Sequence, residues 1–317
     1  MQEEIVFSPN EITLSNISEI SESASMLFER QICELAELAD EAARLSDELA
    51  DEGMSVYEIT ALIAEKTALM EFSPHASAMP EELLRLAHYT SALSCIELSA
   101  FSALYIEKLR DRGLAACEGD FLSHEELAQT FVYHKNAYSD EAYDVFSQDF
   151  NDPRVRYADS LRDALRLVAD GVISYAIVPL EERGSRLPTV AELLYKHDLK
   201  INSVIPVFGF DGTADMRYAL VSRSYSVPAI TSEDDRYLEI RLSADSERGL
   251  SYLMLAAESQ GARLYRVNSA FYEVEGERRG FYSVVFVTEG GDFTGLLTFL
   301  SLSSLDYSAV GIYSNLE

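Results

Sequence analysis

The 317-residue chain contains no tryptophan and only three cysteines, five histidines and eight prolines. Cys33, Cys95 and Cys117 lie far apart and are odd in number, so neither a disulfide framework nor a zinc spacing can be drawn from them. None of the histidines (His75, His88, His124, His134, His197) has the spacing of a metal pair, and no metal or cofactor is expected. Basic residues are scarce, 25 against 54 acidic ones, for a formal net charge of −29. No basic block survives that excess. Phosphate backbones and anionic lipid surfaces would be repelled, which excludes nucleic acid and membrane partners. No apolar run approaches a membrane span, and Met1-Gln-Glu-Glu lacks the basic start of a signal peptide. These absences point to a reduced cytoplasmic protein, and an apolar content of 48% makes it globular.

What is present divides the chain into an α+β multidomain arrangement. Residues 1–113 are helical in pattern. Apolar residues recur at three- and four-residue steps from Ile20 through Leu27, Leu35 and Leu45 to Leu49, and Gly53 ends the run. Ser55-Val-Tyr-Glu58 fits a capping box opening a second helix towards Met70. Pro74 breaks that pattern, and Pro80 opens a third helix reaching Arg110, closed by Gly113. Three such helices bury little alone, so a homodimer of intertwined helices is expected. Residues 114–128 read as a connector.

Residues 129–223 alternate strand and helix patterns: Gln129 to Tyr133 extended, Asp140 to Phe150 helical, Leu161 to Asp170 helical. A buried strand, Ile173 to Val178, is stopped by Pro179. Val190 to Tyr195 is helical, and Ile201 to Phe208 and Arg217 to Ser222 are extended. This order predicts a largely parallel sheet. Ser139 opens the helix after the first strand as its N-cap, and free amides at a helix start can hold a carboxylate. After a polar linker, 224–235, residues 236–317 read as one βαββαβ unit, the ferredoxin-like plan. Tyr237 to Leu242 is its first strand, and a helix opened at Asp245 stops at Gly261. A hairpin of Arg263 to Val274 and Phe281 to Val287 turns at Glu277-Arg-Arg-Gly280. A helix from Asp292 to Leu302 and a strand from Ala309 to Tyr313 complete it.

Several of these segments resemble one family. Ala137-Tyr138-Ser139, Tyr157-Ala-Asp-Ser-Leu, Val178-Pro179-Leu180-Glu181 and Met216-Arg217-Tyr218 are similar, in that order, to motifs of prephenate dehydratases. Glu247-Arg-Gly249-Leu250 and Val310-Gly-Ile-Tyr313 resemble the ACT regulatory domain that ends those enzymes. More weakly, Phe28-Glu29-Arg30 resembles the chorismate mutase domain fused ahead of some of them. The resemblance implies a central dehydratase-like α/β lobe, a C-terminal ACT domain and a helical, mutase-like start. It implies Ser139, Glu181 and Arg217 as catalytic-site residues. It places effector contacts at Gly249, Leu250, Asn268 and Ser269, for a prephenate-like dianion or an aromatic amino acid.

The departures from the pattern carry as much meaning. About 38 residues separate Pro179 from Arg217, fewer than the ~50 of even a small domain, so a second lobe is missing. Met216 stands where the family has a threonine, and a thioether has no proton to give. Dehydration with decarboxylation needs a general acid and a cradle for two carboxylates. In the helical region Glu41 stands where a mutase-like site would want a lysine, and Arg44, Lys66 and Arg85 read as surface ion-pair members. Asn268 and Ala270 replace a glutamate and an arginine of the effector segment. The expectation is a degenerate relative, regulatory or ligand-binding through its ACT domain. Two alternatives stay open: an active dehydratase making phenylpyruvate under phenylalanine control, its missing groups coming from a neighbouring chain or from His134 and Lys135, and a dimeric scaffold without a ligand.

Overall fold

A computed structural model describes residues 14–64, 81–114, 117–122, 127–208, 216–225, 236–244, 249–274, 277–288, 291–303 and 305–314. The opening helix, α1 (Leu14–Asp51), is followed by α2 (Val56–Ile63), where Ser55 and Glu58 form the expected capping box. The stretch towards Met70, with Pro74 and Pro80, lies outside the described residues. The third helix is not continuous. It is two helices, α3 (Glu81–Ala92) and α4 (Cys95–Asp111), because Ser94 and Glu97 form a second capping box and restart the chain. A 3-10 turn, Glu118–Phe121, lies in the connector.

The central region runs β1 (Thr130–His134), α5 (Ala137–Phe146), β2 (Arg154–Ala158), α6 (Leu161–Ala169), β3 (Tyr175–Glu182), β4 (Ser185–Arg186), α7 (Pro188–Lys196), β5 (Lys200–Val207) and β6 (Met216–Ser222). The C-terminal unit follows as β7 (Arg236–Ser243), α8 (Gly249–Ser259), β8 (Arg263–Val274), β9 (Glu277–Thr288), α9 (Thr294–Leu302) and β10 (Tyr307–Ser314). All ten strands join one sheet in the order β2-β1-β3-β6-β5-β10-β7-β9-β8, with β4 hairpinned onto β3.

Three sequence expectations are corrected here. The sheet is mixed rather than largely parallel: only β1 with β2, β1 with β3, and β10 with β5 run parallel. The 208–215 connection is too short to carry a crossover helix, so β6 returns antiparallel beside β5. Pro179 does not stop β3, which runs on to Glu182. Pairing with β1 ends at Ala176, and the ladder to β6 shifts register between Pro179 and Glu181, so the missing N–H falls at a bulge. Finally, Glu277 to Gly280 is strand, not turn, and pairs with Val274 back to Phe271.

The C-terminal strands form an antiparallel set ordered β10-β7-β9-β8, the βαββαβ arrangement that period-two alternation predicts. One face of this set is covered by α8 and α9, and α4 packs on both of those helices with α1 beyond it. Leu98, Phe101, Tyr105 and Leu109 give α4 its buried stripe, and Tyr105 Oη lies 2.7 Å from Ser46 Oγ of α1. Ser99 O accepts from Gln260 Nε2 at 2.9 Å, tying α4 to the end of α8. The described helices thus pack on the C-terminal sheet of their own chain.

Around the central strands, α6 and α7 cover one face and α5 the other. The two regions meet where β10 runs beside β5 at Gly311 and Ile201. A Cβ at Gly311 would lie 2.7 Å from the Ile201 carbonyl oxygen and 2.8 Å from its Cβ, so only glycine permits this approach. Among the described residues no helix is long and apolar enough to cross a membrane.

Candidate functional site

Among the described residues, the richest cluster of buried charge lies where β3, β4 and β6 face the C-terminal sheet beneath α7. Its geometry begins with a tight hairpin. Arg183 and Gly184 both take positive φ, 49° and 75°, as a two-residue primed turn requires. That turn folds β4 back and sets Arg186 opposite Glu181. On the other side of β3, Glu181 is register partner of Arg217 on β6. One carboxylate thus sits between two guanidiniums, each 3.8 Å away, Arg186 Nη1 to Oε1 and Arg217 Nη1 to Oε2.

The C-terminal unit adds the rest. Arg266 of β8 donates to Glu181 Oε1. Arg186 Nη2 donates to both oxygens of Glu239 on β7, at 2.6 Å each. Glu239 also accepts from Tyr195 Oη at 3.0 Å, Ser283 Oγ at 3.0 Å and Tyr313 Oη at 3.3 Å. Its side chain is 0% exposed and those of Glu181 and Arg186 are 5% exposed, whereas Arg266 (17%) and Arg217 (34%) reach towards solvent. Burial works against the charge on Arg186, yet Glu239 and its neighbours hold the guanidinium pKa above the ordinary value. Burial, followed by the Glu239 charge, pushes the Tyr195 and Tyr313 phenols up, so both stay protonated donors.

The residues expected from sequence separate into three places. Glu181, Arg217 and Asn268 belong to this cluster. Asn268 is register partner of Ser283 and shares a face of β8 with Arg266. Ser139 lies elsewhere: it is 1% exposed at the start of α5, over the face that carries Tyr218, and Arg217 beside Tyr218 points to the other face. Asn136, not Ser139, is the N-cap. Its Oδ1 accepts from Ser139 N at 2.9 Å, and Ser139 Oγ accepts from Asn136 N and donates to His134 O at 2.9 Å. The helix starts at Ala137, so Ser139 is its third residue and returns the bond of a capping box that Asn136 opens. Gly249, Leu250 and Ser269 lie on the α8 side of the sheet, Gly249 and Leu250 in the first turn of α8 and Ser269 opposite Tyr282. The helix opening at Asp245 to Arg248 lies outside the described residues.

His134 Nδ1 lies 3.2 Å from Ala158 O, and the Lys135 ammonium stands 4.6 Å over the Tyr157 ring. On the helices Arg30 pairs with Glu34, Arg44 with Glu48 and Glu82, and Arg85 with Glu41. Each arginine there already has a carboxylate. Sequence reasoning missed Arg186, Glu239, Tyr195 and Tyr313 and gave Arg266 no role. Two signals could have exposed them: the Arg183-Gly184 turn ahead of Arg186, and a lone glutamate on the buried side of Tyr237-Leu-Glu-Ile-Arg-Leu242.

Chemically the cluster offers hydrogen-bond donors and fixed positive charge. Its ionisable acids are Glu181 and Glu239, both engaged by arginine, and the Met216 thioether beside Arg217 donates nothing.

Neither family models nor curated proteins match the chain. Partial likenesses occur among solved structures. The prephenate dehydratase from Streptococcus mutans is 15% identical, with a TM-score of 0.48, over 60% of this chain and 100% of that one. The prephenate dehydratase from Arthrobacter aurescens, solved with L-Phe, is 13% identical, with a TM-score of 0.44, over 59% and 90%. A quorum-quenching acylase, GqqA, is 20% identical, with a TM-score of 0.40, over 58% and 93%. Likeness at this level decides neither family nor activity.

Proposed function

We propose that the chain is a ligand-binding relative of prephenate dehydratases that has lost most or all dehydration chemistry. The observation that carries this reading is the engagement of Glu181, clamped between Arg186 and Arg217 and bonded by Arg266 from the C-terminal unit. A carboxylate in contact with three guanidiniums has its oxygens committed as acceptors to them. Met216 adds no proton donor, and the Ser139 hydroxyl is engaged by the backbone oxygens of His134 and Asn136. The βαββαβ unit then serves as an ACT-type module. Its ligand is a prephenate-like dianion or an aromatic amino acid, and the protein works in the cytoplasm as a homodimer within aromatic amino acid metabolism.

Purified protein incubated with prephenate is expected to form phenylpyruvate no faster than the acid-catalysed background. Turnover clearly above that background sinks the reading and favours an active dehydratase. Phenylalanine, tyrosine or tryptophan is expected to raise the melting temperature, because a ligand bound only by the native state stabilises it. No shift with any of them favours a scaffold.

A further inference from the structure

The charged junction between the two sheet regions is incomplete in one specific way. Among its buried side-chain atoms, Arg186 Nε, Arg186 Nη1, Arg266 Nε and Asn268 Nδ2 find no hydrogen-bond partner within the protein. All four are donors. They come from β4 and β8, and Arg266 and Asn268 stand two residues apart on the same face of β8. Every oxygen of Glu239, by contrast, already accepts bonds, and Glu181 is engaged by arginines on three sides.

Two physical costs follow. Each unpaired buried donor is costly, more so when it belongs to a charged group. The charge is also unbalanced: Arg186, Arg217 and Arg266 against Glu181 and Glu239 leave one cation in excess, in a protein whose formal net charge is −29. Water would answer the first cost but not the second. A monoanion with planar oxygens answers both, since guanidinium N–H groups and an amide match a carboxylate in geometry and charge. Arg217 and Arg266 are the partly exposed members, so the approach is from their side.

We propose that this junction is a carboxylate-binding site, in which Arg186, Arg266 and Asn268 grip the carboxylate of a small molecule from both sides of the seam between the two sheet regions. The site rests on the reading of the chain as a ligand-binding protein, and it explains why an otherwise acidic molecule gathers three arginines around the buried Glu181. Because β4 belongs to the central region and β8 to the C-terminal unit, occupancy fastens one to the other.

The test is thermal unfolding of the full chain titrated with sodium acetate, with sodium chloride balancing the ionic strength. Wild type is expected to show a saturable onset, then an equal rise in melting temperature for each further tenfold of acetate. Asn268→Asp places a carboxylate at the site covalently. This variant is expected to melt higher than wild type without acetate and to lose the response. Asn268→Ala is expected to stay folded and weaken the response about tenfold. No acetate response in wild type overturns the site, as does an unchanged response in N268D. Parallel titrations with L-phenylalanine and prephenate distinguish the sources: a shift abolished by N268D identifies that compound's carboxylate as the occupant. A phenylalanine shift that survives N268D overturns this site as the effector site. Prephenate turnover with an intact acetate response defeats the functional reading above while leaving the site standing.

Discussion

The two faces of the C-terminal sheet are built on opposite physical terms from the same strand. Along β7, Leu238, Ile240 and Leu242 enter a dry core beneath α8 and α9, while Tyr237, Glu239 and Arg241 turn towards α7. The dry face uses area: buried side chains such as Phe286, Leu297 and Phe299 hold the helical layer without directional demands. On the other face Glu239 needs an arginine, two tyrosines and a serine placed within hydrogen-bonding reach. Apolar packing tolerates repacking; a buried ion cluster tolerates few arrangements. The contrast teaches that the helical layer is held by adhesion and the central region by registration.

Breaking the charged face should cost most. Glu239→Ala leaves Arg186 buried without its principal counter-charge, and we expect a loss of about 3–5 kcal/mol in urea unfolding. The sharper comparison is Glu239→Leu combined with Arg186→Met, expected to recover most of that loss, because apolar replacement of a whole buried pair is often near neutral. A double variant as unstable as E239A would mean that the cluster stabilises by itself.

The dry layer carries its own titration. Burial raises the Tyr105 phenol to about 12 from the ordinary value of 10.0, so the unfolded chain loses that proton first as pH rises. Its contribution is intact below the unfolded pKa and is lost as pH climbs through the folded one. Stability is therefore expected to fall by roughly 2–3 kcal/mol across that window. Tyrosinate absorbance and urea midpoints in wild type and Tyr105→Phe isolate this share from the other buried tyrosines. A slope unchanged in the variant would refute the assignment.

At the seam, Gly311→Ala drives a methyl group into the Ile201 backbone, and an overpacking loss of about 1–3 kcal/mol is expected. Hydrogen exchange should quicken at β5 and β10 first; protection lost equally in α1 and α4 would show the seam to be no separate unit. The smallest effect belongs to the helix restart. Ser94→Ala removes one half of a capping box and should cost about 1 kcal/mol, measured as a shifted thermal midpoint.

The C-terminal order was legible because β7, β9 and β10 alternate by two and the helices between them do not. The first capping box was equally plain, yet Ser94-Cys-Ile-Glu97 went unread inside an unbroken apolar stripe. β2 was missed because Arg154 to Tyr157 is exposed throughout and carries no alternation to read. Of the candidate site, the ladder Arg186, Glu181 and Arg217 was half visible, through Glu181 and Arg217. Its partners on β7 and β8 could not be paired from sequence, since Arg186 meets Glu239 across 53 positions and Glu181 meets Arg266 across 85.

The strand at the seam has a consequence for how the molecule is assembled. Ile201 waits for Gly311, so β5 presents an unmated border until a segment 110 positions downstream has been made and folded. Long-range closure of that kind is slow, and an open apolar border is where chains mispair. The glycine that lets the two strands touch is thus also the latch that ends the chain's most vulnerable interval.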